Sequence, residues 1–404
     1  MSLGRGFRLV SLLAWSTVFG ACQLAGTSTP APVSAMASVA PGSSASHATP
    51  APTAHPGSTL NGLTILVPAG TGGELTPAFS PELTEYSINV DSDISAVDVV
   101  PTVADPAAVS VSVADNSAST GKTNMVGVGV GSSRIAVVVS AVDGSLSTTY
   151  TVDVERQDIT PVVDKFRKLS YLDPATGETM GYRLFVPDNY DATRSYPLVL
   201  FLHGAGERGS DNEAQLTANQ GATIWATPEE QAKHPAFVLA PQSGFTTKKQ
   251  GWTSLETHGQ NAPFKPQKEL VTAYDILQEV KGEFSIDPSR IYVTGLSMGG
   301  FGAYSIAIAH PNEFAAIVPI CGGGDPAGLA AIAKIPIWIF HAAKDPTIRV
   351  GYSRNSVAAL KKAGGHPKYT EYAASAYFYP TAHFSWTTTY ANPDMRDWLF
   401  EQSR

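Results

Sequence analysis

Gly295-Leu296-Ser297-Met298-Gly299 joins two segments of opposite habit. Before it runs Arg290-Ile291-Tyr292-Val293-Thr294, an apolar, strand-like stretch, and after it Gly300-Phe301-Gly302-Ala303-Tyr304-Ser305-Ile306-Ala307, which can continue as helix. A chain passing from strand to helix through so few residues must turn sharply, and glycines permit the tight backbone this needs. The residue at the apex then stands clear of the sheet, the arrangement of a nucleophile elbow with Ser297 at its tip. The pentapeptide alone is a weak signal in 404 residues, so its strand and helix context carries the reading.

A serine hydroxyl attacks a carbonyl only with a base to take its proton and an acid to orient that base. On a sheet with this turn, the chain order is serine, acid, histidine. Asp345 ends the apolar run Ile335 to Phe340 and its following loop, and is the expected acid. Asp325, after Cys321-Gly322-Gly323-Gly324, competes with it but precedes a proline and also makes an ordinary turn residue. Two histidines remain beyond Asp345. His366 sits at a glycine helix stop, where a surface histidine is ordinary, whereas His383 lies in a loop before the last helix and is the expected base. For the oxyanion, the N–H of Met298 follows the nucleophile. The second donor comes from the glycine-rich turn after Leu198 to Leu202, with Ala205 first and Gly204 or Gly206 as alternatives. That turn lacks the lysine and Ser/Thr of a phosphate loop and the spacing of a dinucleotide fingerprint.

The run Asp287 to Gly300, with His203-Gly204-Ala205-Gly206-Glu207-Arg208-Gly209 upstream and His341-Ala342-Ala343-Lys344-Asp345 downstream, resembles α/β-hydrolase esterases of the polyhydroxybutyrate-depolymerase and feruloyl-esterase-like group. Some relatives of that group carry the description of peptidases. The likeness covers residues 161–404 and implies an α/β hydrolase fold, an ester substrate, small or polymeric, and an acyl-enzyme on Ser297 with no cofactor and no metal. Two departures stand out: Ala342 replaces the usual glycine, and the loop before His383, Tyr372 to Pro380, is long and aromatic. Trp252 and Trp386 are candidates for a substrate cleft, with core packing the plain alternative for each. Alternating strand-like and helical runs independently predict a mostly parallel sheet covered on both faces.

Residues 1–21 carry Arg5 and Arg8, a short apolar run and small residues, the pattern of an export signal. Phe19-Gly20-Ala21-Cys22 resembles a bacterial lipoprotein cleavage box, which makes Cys22 the acylated terminus and a lipid anchor the membrane contact; an ordinary cleavage site is the alternative. Residues 22–58, rich in Ala, Ser, Thr and Pro, form a tether unable to bury a core. Over 59–157 the texture changes to short alternating runs, with Asp143-Gly144 as a hairpin signal, which predicts a small antiparallel β-sandwich. Its Leu75 to Pro81 stretch, Tyr86 and terminal hairpin resemble the bacterial cadherin-like domain. The acidic linker motifs of calcium-binding cadherins are absent, so Asp91, Asp93 and Asp115 read as turn residues. The sandwich is expected to be a spacer first, and otherwise a folding partner or polymer-binding module. A net charge of −8 leaves no basic patch for nucleic acid, and two cysteines give neither a disulfide framework nor metal-ligand spacing. The rival functions are a secreted serine peptidase and a non-catalytic surface binding protein.

Overall fold

The computed structural model describes residues 57–244, 251–254 and 264–404. The expected leader, nearly all of the tether, and Cys22 lie outside the described residues.

Period-two burial builds the N-terminal part from β1 (Gly62–Leu66), β2 (Glu85–Val90), β3 (Ala96–Thr102), β4 (Val109–Val113), β5 (Asn116–Ala118), β6 (Asn124–Gly127), β7 (Gly131–Ala141) and β8 (Ser147–Arg156). One sheet runs β1-β3-β6 and the other β2-β8-β7-β4-β5. Ile135, Val137 and Val139 of β7 meet Tyr150, Val152 and Val154 of β8 in a single core with Val97 and Val99 of β3. Their polar neighbours face water, as alternation requires. The Asp143-Gly144 signal is realised: Gly144 takes φ 71° in the β7–β8 turn. The sandwich is not wholly antiparallel, however, because β2 pairs parallel with β8. β2 follows β1 of the opposite sheet, so no hairpin forces it to run antiparallel to its neighbour.

The rest of the chain forms β9 (Arg167–Leu172), β10 (Thr179–Phe185), β11 (Tyr196–Leu202), β12 (Phe237–Pro241), β13 (Ile286–Leu296), β14 (Ala316–Ile320), β15 (Trp338–Ala342) and β16 (Lys368–Tyr372). Their order is β16-β15-β14-β13-β11-β12-β10-β9, parallel from β12 to β16 and antiparallel at β9 and β10. Strand β11 is buried throughout: Leu198, Leu200 and Leu202 face one core, Val199 and Phe201 the other. Such a strand cannot sit on a solvated face and calls for helices on both sides. Helices Lys268–Glu283, Met298–Ala309 and Gly351–Lys362 contribute Leu277, Ala303 and Leu360 to the first core, and Pro393–Phe400 contributes Met395 and Leu399 to the second.

The chain leaves β11 toward β12 on one side and returns as β13 on the other. That reversal opens a crevice at the C-terminal ends of β11 and β13, where ligands bind in open α/β sheets. The sandwich packs against the same body. Tyr377 Oη donates to Asp98 Oδ2 at 3.0 Å, and Gln220 Nε2 lies 3.5 Å from Asp91 Oδ2. Asp93 is more than a turn residue: it meets the Gln220 backbone and the Thr387 hydroxyl, while its buried Oδ2 has no hydrogen-bond partner.

Candidate active site

Strand β13 ends at Leu296, the helix Met298–Ala309 begins one residue later, and Ser297 carries the whole turn at φ 53°, ψ −116°. A non-glycine residue there costs about 1–3 kcal/mol and persists only where its surroundings over-determine it. They do so here, since Ser297 N–H donates to Ile320 O at 3.0 Å and Ser297 O accepts from Phe301 N–H at 3.2 Å. The flanking glycines act differently from the sequence expectation. Neither takes positive φ; a Cβ on Gly299 would stand 1.8 Å from Leu202 O, and one on Gly295 2.4 Å from Gly299 O. They are glycines because the backbones of the elbow and of β11 touch.

His383 Nε2 lies 3.0 Å from Ser297 Oγ, and its Nδ1 lies 2.7 Å from Asp345 Oδ2. The carboxylate accepts on its other oxygen from the N–H groups of Thr347 (2.8 Å) and Ile348 (2.9 Å). A second imidazole, His341, ends β15 with Nε2 3.3 Å from Asp345 Oδ2 and 2.9 Å from Ile348 O. Burial alone would raise the Asp345 carboxyl, but His341, His383 and the backbone donors together outweigh it and hold it well below the usual range. The acid is therefore ionised whenever the imidazole needs it. Trp386 closes the far side of His383 edge-on, with ring centroids 5.0 Å apart. Cys321, at φ 40°, points its buried thiol at His383 O across 3.7 Å.

The N–H of Met298, first in its helix, has no intrahelical acceptor, and Ala205 likewise opens the short turn Ala205–Glu207. Both loops rise from neighbouring strands, β11 and β13, paired at Leu202 and Gly295. His203, fully buried, ties the glycine turn down: Nδ1 is 2.6 Å from Gly204 O, Nε2 accepts from Ser243 N–H at 2.9 Å, and His203 O accepts from Trp252 Nε1 at 2.9 Å. Glu207 folds back beside the same turn, and burial pushes its carboxyl up.

Five further residues singled out in the sequence take the following places. Trp252 is fully buried: its indole donates to His203 O and its Cβ packs on Gly302. Trp386 is nearly as buried and braces His383. Asp325 caps its own turn through Ala327 N–H, and His366 is exposed beyond its helix, so neither joins the array. Ala342 replaces glycine without strain, as its φ is not positive. The sequence reading passed over His203 and His341, although each ends an otherwise apolar parallel strand, where a polar side chain must find buried partners. Among the described residues, two groups, Cys321–Asp345–His383 and Glu230–His234–Asp397, bring metal-ligand atoms within 4.8 Å of one another. In the first the carboxylate already holds the imidazole; in the second Arg396 pairs with Glu230 and His234 with Asp397.

The sheet order, the serine elbow and the Ser297–His383–Asp345 alignment define an α/β hydrolase. The Cadherin-like beta sandwich domain model matches residues 60–157, and the Esterase model matches residues 174–338. The solved structure of a thermostable esterase is 34% identical, with a TM-score of 0.57, covering 77% of this chain and 96% of that one. This chain belongs to the esterase family. "Probable feruloyl esterase C" of Aspergillus niger is 30% identical over 170 residues, 41% of this chain and 55% of that protein. Poly(3-hydroxyalkanoate) depolymerase C of Paucimonas lemoignei is 32% identical over 130 residues, 31% of this chain and 28% of that protein. The chain thus matches little more than half the length of the first of these relatives and less of the second.

Proposed function

We propose that the protein is a serine esterase that hydrolyses carboxylic esters through an acyl-enzyme on Ser297. The observation carrying this is the unbroken line from Asp345 Oδ2 to His383 Nδ1 at 2.7 Å and from His383 Nε2 to Ser297 Oγ at 3.0 Å. His383 takes the hydroxyl proton as Oγ attacks the ester carbonyl, and Asp345 stabilises the resulting imidazolium. The N–H groups of Met298 and Ala205 bind the oxyanion, and the imidazolium then returns its proton to the departing alcohol. Water, deprotonated by His383, attacks the acyl-enzyme and releases the acid and free Ser297.

Support for the substrate class comes from relatives named for feruloyl esters and polyhydroxyalkanoates, which point to acyl groups on polysaccharides or to polyesters. The composition of residues 1–58 supports an exported enzyme held by a lipid at Cys22. The decisive experiment is hydrolysis of p-nitrophenyl acetate and longer esters by the wild type and by Ser297→Ala. The expected loss is on the order of 10⁴ to 10⁶ in kcat. Equal turnover by the two proteins sinks the proposal. Methyl ferulate and hydroxybutyrate oligomers then separate the two substrate classes.

A further inference from the structure

An oxyanion donor lowers a barrier only if it is aimed before charge develops. The Ala205 N–H belongs to the Gly204–Ala205 peptide, and a trans peptide points its C=O and N–H in opposite directions. Whatever holds the Gly204 carbonyl therefore aims the Ala205 N–H. That carbonyl lies 2.6 Å from Nδ1 of His203, inside the protein. The tautomer follows from the other ring nitrogen: Ser243 N–H can only donate, so Nε2 accepts and Nδ1 carries the hydrogen. With the carbonyl drawn inward, the N–H faces the opposite way.

The neighbourhood ties this peptide to the elbow. A Cβ on Gly204 would lie 2.7 Å from Leu296 Cδ1, one residue before Ser297, and a Cβ on Gly299 would lie 2.8 Å from His203 O. We propose that His203 is a positioning residue for hydrolysis: its Nδ1–H, bonded to Gly204 O, aims the Ala205 N–H at the oxyanion. This rests on the serine esterase reading above. The charged groups around the ring are Glu207, with Oε2 4.0 Å from Nδ1, and at longer range Arg208 and Asp211. Burial pushes the imidazole down to about 4, so it stays neutral and keeps one tautomer from pH 6 to 9.

Two substitutions separate aiming from mere tethering. In His203→Asn the side-chain amide can take the place of Nδ1–H and bond Gly204 O; in His203→Gln the amide reaches the place of Nε2, keeps Ser243 and releases Gly204. The expected result is kcat within roughly fivefold of wild type for Asn and a fall of roughly 10- to 100-fold for Gln, with KM within about twofold in both. Affinity for a phenylboronic acid, which forms a tetrahedral adduct on a serine, should fall in parallel with kcat, and the loss should be the same from pH 6 to 9. Equal falls in both variants, or a larger fall for Asn, overturn the proposal.

Should neither variant fold, Ala205→Pro removes the N–H itself while leaving His203 in place. Proline suits the first position of a helical turn, and Gly204 is already extended at ψ −178°. A fall of about 10²- to 10³-fold in its kcat is expected, and wild-type kcat overturns the proposal. Fluorophosphonate labelling of wild-type Ser297 tests the underlying esterase reading separately from all of these variants.

Discussion

Ser297 carries strain that glycine would not, since φ 53° with ψ −116° is closed to most side chains. Ser297→Gly should therefore raise stability by about 1 kcal/mol while abolishing turnover. Chemical denaturation with an esterase assay on the same sample checks both halves. Asp345 shows how electrostatics at single residues sets a pH profile. Its folded pKa is depressed, so its stabilising contribution is present above the unfolded value and disappears only as pH falls through the folded one. Asp345 should therefore add no protonation step to the kcat/KM profile above about pH 4. Asp345→Asn should lower kcat by about 10³- to 10⁴-fold, measured with a chromogenic ester at pH 8.

Among elements, the closest approach is between the elbow and β11, where Gly299 lies under Leu202 O. A methyl group there has only backbone to displace, so Gly299→Ala should destabilise by about 3 kcal/mol or more or prevent folding. Gly206, with nothing within 4 Å of its Cβ position, is the control: Gly206→Ala should fold normally. Thermal melts of the two variants make the comparison. The strands themselves were legible, because β11, β12 and β14 are continuous apolar runs buried on both faces. Strand β15 begins at Trp338, later than its apolar run suggested, because Ile335-Pro336 still belongs to the turn entering it. The edge strands β9 and β16 are half-solvated and carry no clear pattern in sequence.

Across the whole molecule, the sandwich is packed onto the loop before His383 and onto the segment around Gln220. Tyr377 bonds Asp98, and Asp93 sits between Gln220 and Thr387. Burial, with Asp91 adding, pushes Asp93 up to about 7 from 3.8. A raised pKa contributes stability that is fully present below the unfolded value and is lost as pH rises through the folded one. The folded protein should therefore lose stability as pH rises from about 4 to about 7, the interval over which a buried charge forms beside Asp91. Asp93→Asn should flatten this dependence and raise the melting temperature at pH 8.5 by about 2–4 °C. An unchanged melting profile from pH 4 to 7 counts against it.

Chain order and local chemistry were enough to find Ser297, Asp345 and His383 as candidates, because an elbow needs a strand, a tight turn and a helix in one short stretch. The triad order then restricts its partners to loops after later strands. Sequence could not reveal which buried histidines hold the site together. His203 does so through Ser243, which reaches it only once β11 and β12 lie side by side, and His341 through Ile348 and Ser353 of the loop and helix after its own strand. Nor could sequence choose between cleft and core for Trp252, or show what Asp93 meets beyond its own turn, for one reason. A side chain's role depends on what covers it, and here the covering atoms come from segments distant along the chain, brought together by the burial of a sheet on both faces and of a sandwich against it.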